Sequence, residues 1–163
     1  MGAGKTTLGR AAAGLLGWTF ADLDAWIEAA EGRSVPAIFA EEGQDYFRAQ
    51  EAAAIEALGQ EAPLSRIVAT GGGAACFGDN MTRMNALGLT IYLKPDLHTL
   101  CDRLRDQRAG RPLLRDLTDA QLLPFLEAMQ AQREPYYARA RYTLSGGDLT
   151  PQGLAACIRA AVG

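Results

Sequence analysis

Soft and imidazole metal ligands are scarce in this chain: three cysteines and one histidine among 163 residues. Cys76, Cys101 and Cys157 are far apart and odd in number, with no C-x-x-C pair, which indicates neither a zinc site nor a disulfide framework. His98 lies near a helix start with no cysteine or second histidine close in sequence, so it reads as a solvated surface residue rather than a base or metal ligand. Excess positive charge is missing too. The 16 Lys and Arg against 19 Asp and Glu leave a net charge of −3, which argues against a general nucleic-acid or anionic-membrane binder. No apolar run is long enough to span a bilayer, and the first residues form a Gly4-Lys5-Thr6 loop rather than a charged and then apolar leader. The expected setting is a reducing cytoplasm. Internal repeats and low-complexity linkers are also absent.

What is present is a hydrophobic fraction of 48% with 21% charge, which suits a single globular domain over residues 1–163. Gly2-Ala3-Gly4-Lys5-Thr6-Thr7 runs straight into a helical segment, Leu8 to Leu16. Glycines let successive N–H groups aim at one anion, Lys5 adds a point charge, the Thr6 hydroxyl can ligate Mg²⁺, and a helix N-terminus favours negative charge. This is most of a phosphate-binding loop. The alternative is a glycine-rich turn that caps a helix. A short apolar strand, Trp18 to Ala21, ends at Asp22-Leu23-Asp24, where carboxylates at a strand's carboxyl end can face a metal or substrate or can cap the helix Ala25 to Ala30. Ser34 caps a short helix through Phe39, and a longer helix follows from Asp45 to Leu58. Within it Glu51 falls at i+3 from Arg48 and can orient that guanidinium toward an anionic substrate.

Arg66 to Ala69 is a β-branched strand that enters Thr70-Gly71-Gly72-Gly73, a run of glycines suited to close backbone approach to a carboxylate or phosphate. A helix from Asp79 to Leu87, a strand from Thr90 to Leu93 and a helix from Asp96 to Gln107 come next. Arg103, Arg105, Arg108, Arg111 and Arg115 then crowd a stretch broken by Gly110 and Pro112, which reads either as a loop that closes over phosphates or as a solvated basic loop. A helix capped by Asp119 or its neighbour runs to about Arg139, broken or bent near Glu134-Pro135, with Arg133 just before that pair. Tyr142 to Ser145 is the last strand, and Thr150-Pro151 starts a final helix to Val162. Alternating strands and helices with short connections imply an α/β fold, a parallel sheet covered by helices on both faces.

Taken together, Gly2-Ala3-Gly4-Lys5-Thr6, Asp22-Leu23-Asp24, Phe47-Arg48 with Glu51, Gly71-Gly72-Gly73, Arg111-Pro112-Leu113-Leu114 and Arg133-Glu134-Pro135-Tyr136 resemble shikimate kinases in type and order, from Met1 to about Tyr142. The resemblance implies a P-loop fold of the nucleoside monophosphate kinase type with a five-stranded parallel sheet. It also implies a substrate-binding helical region at about residues 24–60 and a lid at about 109–120. The implied reaction is transfer of the ATP γ-phosphoryl to the 3-hydroxyl of shikimate, toward chorismate and the aromatic amino acids. Lys5, Asp24 and Arg111 match catalytic positions. Asp24, Arg48, Gly71, Gly72, Gly73 and Arg133 match substrate-binding ones, with both arginines on the carboxylate. ATP falls to Gly2, Ala3, Gly4, Lys5, Thr6, Thr7, Arg111 and Arg103. The last of these stands one residue from the family's spacing for the adenine-stacking arginine. Mg²⁺ falls to Thr6 and Asp22, and the implied partners are ATP and shikimate alone, bound by a monomer.

Two alternatives stand beside this reading. A gluconate or nucleotide kinase of the same fold would not need Arg48, Arg133 and three glycines for a carboxylate. A shikimate-kinase-like sensor inside a regulator would normally bring a DNA-binding helix-turn-helix, and none fits in the sequence. The full phosphate-loop pattern, G-x-x-x-x-G-K-S/T, asks for a glycine five positions before Gly4 and a strand before that. The expectation is therefore that the chain is a fragment or mis-started reading, and that about ten apolar-rich residues ending in Gly-x belong before Met1.

Overall fold

The computed structural model describes residues 2–61, 65–105 and 113–162. Helix α1 (Lys5–Leu16) starts from Gly4, whose φ of 81° lies in the left-handed region that glycine enters without a Cβ penalty, and it stops at Gly17. Strand β1 (Thr19–Asp22) then hands the chain to α2 (Leu23–Glu31), which Asp22 caps by accepting the Asp24 N–H at 3.1 Å. The capping role expected for one of the two aspartates thus belongs to Asp22, and the helix starts two residues earlier than its apolar pattern suggested.

Ser34 caps α3 (Val35–Glu41) as expected, and α4 (Gly43–Gln60) extends beyond both predicted ends. Strand β2 (Arg66–Ala69) pairs parallel with β1, Thr19 opposite Arg66 and Asp22 opposite Ala69. The glycine run leads into a 3-10 turn (Ala74–Cys76) and then α5 (Asn80–Leu87).

In the second half, β3 (Ile91–Lys94) begins one residue later than predicted, although the Thr90 carbonyl just before it still accepts the Tyr142 N–H at 3.2 Å. Helix α6 (Leu97–Arg105) follows, with the Asp96 carboxylate accepting the Thr99 N–H at 2.8 Å. Helix α7 (Asp119–Tyr137) is led by Thr118, whose N–H donates to the Gln121 side chain at 2.9 Å. It carries Pro124 and Pro135 inside it and continues through Glu134-Pro135 to Tyr137. Strand β4 (Tyr142–Ser145) pairs parallel with β3, Ile91 opposite Tyr142 and Lys94 opposite Ser145. Thr150 caps α8 (Pro151–Val162), accepting the Gly153 N–H at 3.0 Å.

Parallel strands need a crossover, and each pair has a helical one: α2 to α4 between β1 and β2, α6 and α7 between β3 and β4. The parallel α/β architecture agrees with the sequence. Among the described residues four strands form two pairs, β1-β2 and β3-β4. Between β2 and β3 lies a cavity of about 550 Å³, lined by Ile67, Val68, Ile91 and Leu93 from the strands and by Leu154 and Ile158 from α8. With that space between them, the two strands do not reach each other's N–H and C=O groups.

Three apolar clusters hold the elements. Leu23, Ile27, Ile38, Phe47 and Ile55 pack α2, α3 and α4 together. Leu104, Leu114, Leu122 and Leu126 join α6 to α7. Ala12, Leu154 and Ile158 seat α1 on α8, with Ile67 of β2 and Ile91 of β3 packed against them, so this third cluster ties the two strand pairs into one body.

Candidate active site

The polar groups singled out in the sequence gather at the carboxyl ends of the strands, away from the aliphatic part of the cavity. The Thr6 hydroxyl donates to Asp22 Oδ2 at 2.8 Å, so the first turn of α1 and the end of β1 meet through two oxygen donors. In the first turn of α2, Asp24 is half-buried. Burial pushes its carboxyl above the ordinary range and the Asp22 charge pushes the same way, while Lys5 and Arg48 pull it back. Lys5, Asp22, Asp24 and Arg48 therefore share one electrostatic environment.

Arg48 is fixed from two sides. Its Nη1 binds Glu51 Oε2 at 2.7 Å, and Glu51 is only 1% exposed. Its guanidinium also lies over the Phe77 ring, 3.9 Å from the centroid, with Phe47 at 5.3 Å. The Arg48 Nε is buried and has no hydrogen-bond partner among the described residues. For Glu51, desolvation outweighs the help of Arg48, and its carboxyl too stands above its usual value. The sequence found Glu51 from its i+3 spacing. Phe77 it missed, since no local pattern links that residue to α4.

The glycine run passes through the middle of these groups. A Cβ on Gly71 would lie 3.2 Å from Asp24 Oδ1 and 3.3 Å from Glu51 Oε1, and one on Gly73 would lie 3.0 Å from Arg48 Nη2. Bare backbone is thus what lets an aspartate, a glutamate and an arginine approach this loop together. The Cys76 thiol just beyond is pushed up by burial, and the charges of Arg133 and Arg48 oppose that shift. Both arginines, one from α7 and one from α4, therefore converge on the same turn.

Arg103 is exposed on α6, and a Cβ on Gly4 would lie 3.9 Å from its Nη1, which sets it beside the phosphate-binding loop. Ala3 and Lys5 border the mouth of the cavity with Gly71 and Gly72, and Thr7 is exposed next to Thr6. Arg111, with residues 109–112 of the predicted lid, lies outside the described residues. His98 is exposed, as expected, and the described residues contain no group of three or more His, Cys, Asp or Glu able to hold a metal. No helix of the described residues is long and apolar enough to cross a membrane.

Sequence reasoning also missed Tyr137. It picked out Tyr136, which is 38% exposed, whereas the Tyr137 hydroxyl donates to the Gly72 carbonyl. The i+4 spacing from Arg133 was the available signal.

The chain as a whole is similar to known proteins. A family model described as shikimate kinase matches residues 1–162. A shikimate kinase of Parabacteroides distasonis is 40% identical over 143 residues, 88% of this chain and 82% of the relative. One from Bacteroides fragilis is 41% identical over 142 residues, 87% of this chain and 78% of the relative. Among solved structures, the shikimate kinase of Bacteroides thetaiotaomicron superimposes with a TM-score of 0.87 at 33% identity, covering 99% of this chain and 93% of that one. A shikimate kinase from Acinetobacter baumannii in complex with shikimate gives 0.81 at 34% identity, covering 99% and 88%.

Proposed function

The chain belongs to the shikimate kinase family, and from that premise we propose how its own residues divide the work of the family's reaction. That reaction is ATP-dependent phosphorylation of the 3-hydroxyl of shikimate, and the chain is a kinase that catalyses it.

In this reading Asp24 takes the proton of the 3-hydroxyl onto a carboxylate oxygen while the hydroxyl oxygen attacks the γ-phosphorus and ADP departs with the bridging oxygen. The observation that carries this assignment is the raised carboxyl of Asp24, half-buried beside Asp22 yet facing Lys5. A carboxylate lifted toward the working pH is a better base than an exposed one. Gly2, Ala3, Gly4, Lys5, Thr6 and Thr7 receive the ATP phosphates at the start of α1, Arg103 lies beside the nucleotide, and Arg111 reaches the phosphates from the lid. Arg48 and Arg133 hold the shikimate carboxylate, with the N–H groups of Gly71, Gly72 and Gly73 beside them.

Thr6 Oγ1 and Asp22 Oδ2, 2.8 Å apart, are the oxygen donors a hard divalent cation takes, so the site suits Mg²⁺. Bound with ATP, Mg²⁺ supplies neutralisation of phosphate charge. A single cytoplasmic domain with a substrate region near residues 24–60 and a lid near 109–120, acting as a monomer, completes the proposal. A coupled assay of ADP release tests it: release should depend on shikimate. ATP hydrolysis at the same rate without shikimate would count against it.

A further inference from the structure

A contact between the two strand pairs at the site is made by a side chain with no assigned role. Tyr137 sits one helical turn after Arg133 on α7, so the two share a face. Its hydroxyl donates to the carbonyl of Gly72, in the middle of the glycine run, and the Arg133 guanidinium is close enough to its oxygen to oppose the effect of burial on the phenol. The ring rests on Tyr92 of β3, centroids 5.0 Å apart at 42°. Next to it Glu134 accepts from the Tyr92 hydroxyl at 2.9 Å and pairs with Lys94. The end of α7 is thereby fastened twice, to β3 through Glu134 and to the glycine run through Tyr137.

We propose that Tyr137 is a positioning residue for the acceptor substrate, whose hydroxyl joins Arg133 of one half to the Gly71–Gly73 backbone of the other so that both present their donors to a single carboxylate. The inference rests on the proposed carboxylate site and deepens it. A hydroxyl that both accepts and donates suits this place, since it orients the guanidinium and the Gly72 peptide plane with one group. Turning that peptide plane would turn the Gly73 N–H, and Gly73 already lies against Arg48. Burial raises the phenol and Arg133 counteracts it, which keeps the hydroxyl protonated and able to donate at neutral pH.

Tyr137→Phe removes the hydroxyl and leaves the ring on Tyr92. Steady-state kinetics should show the shikimate KM rising about tenfold, the loss expected for one charge-assisted hydrogen bond, with the ATP KM and kcat within about twofold of the parent. Tyr92→Phe, which removes one of the two bonds that hold Glu134 and leaves its pairing with Lys94, should leave the shikimate KM within about twofold. In an Arg133→Ala background Tyr137→Phe should add little, because the partner it orients is gone. The inference is overturned if Tyr137→Phe leaves the shikimate KM unchanged, if it raises the ATP KM equally, as a general loss of structure would, or if its effect multiplies in full with that of Arg133→Ala. An Arg133→Ala variant with unchanged shikimate KM would instead defeat the carboxylate site itself, a separate result read from a separate variant.

Discussion

The half of the molecule built on β1 and β2 and the half built on β3 and β4 handle their charges differently. In the first half the functional groups come already paired: Thr6 with Asp22, Asp22 with the Asp24 N–H, Arg48 with Glu51. In the second half the Arg133 guanidinium faces the Tyr137 oxygen, and the Tyr137 hydroxyl in turn donates to the Gly72 carbonyl across the divide. The difference teaches that the first half is preorganised within itself, whereas the second is aligned by docking onto the first. Chemistry is therefore expected to be fragile to changes in the first half, and acceptor binding to changes in either.

Replacing the proposed base is the most severe way to test that division. Asp24→Asn should cut kcat on the order of a hundredfold or more, with ATP affinity nearly unchanged, since an amide cannot take the hydroxyl proton. Near-parental turnover would reduce Asp24 to a positioning group. The same variant should melt higher than the parent at neutral pH. A carboxyl raised by burial contributes its stability in the protonated form, in full below about pH 3.9, and loses it as pH rises through the elevated folded value. The gain from Asp24→Asn should therefore disappear in acid.

The two arginines sharpen the comparison next. Arg48→Ala and Arg133→Ala should each weaken shikimate binding by roughly 1.5 to 3 kcal/mol, about tenfold or more, without touching ATP. Their stabilities should part. Arg48→Ala strands Glu51, 1% exposed, without its cation, a loss of roughly 3 kcal/mol at the low end for a broken buried pair. Arg133→Ala strands no buried charge, so its melting temperature should stay close to the parent's. Equal melting temperatures in the two variants would erase the proposed contrast.

A smaller effect should appear in the pH profile of kcat/KM. Asp24 must be ionised to act as base, so the rate should climb with pH through an acid limb lying above the ordinary carboxylate value of about 3.9. Asp22→Asn removes the second cause of the elevation and should move the limb to lower pH, whatever it does to the plateau. An unmoved limb would separate the limb from Asp24.

Much of this arrangement was legible in the sequence because its signals are local. Gly4 before Lys5 needs a left-handed turn, Ser34 and Thr150 announce helix starts, and i+3 spacing joins Arg48 to Glu51. Asp22 was ambiguous by the same logic, and it both caps α2 and meets Thr6. What local pattern could not show was who crosses between elements. Phe77 reaches Arg48 from the other side of the glycine run, and Tyr137 meets Gly72 across 65 positions of chain. Strand pairing is equally non-local, so alternating elements could show an α/β fold but not the register in which the strands meet.

The central claim is that Arg48 from one half and Arg133 from the other serve one carboxylate. Calorimetric titration of shikimate and of its neutral carboxamide analogue, into the parent and into the Arg48→Ala/Arg133→Ala double variant, tests it most directly. The parent should prefer the acid by on the order of a hundredfold, two charge-assisted contacts' worth, and the double variant should bind both ligands alike. A double variant that keeps the parent's preference for the acid would contradict the account.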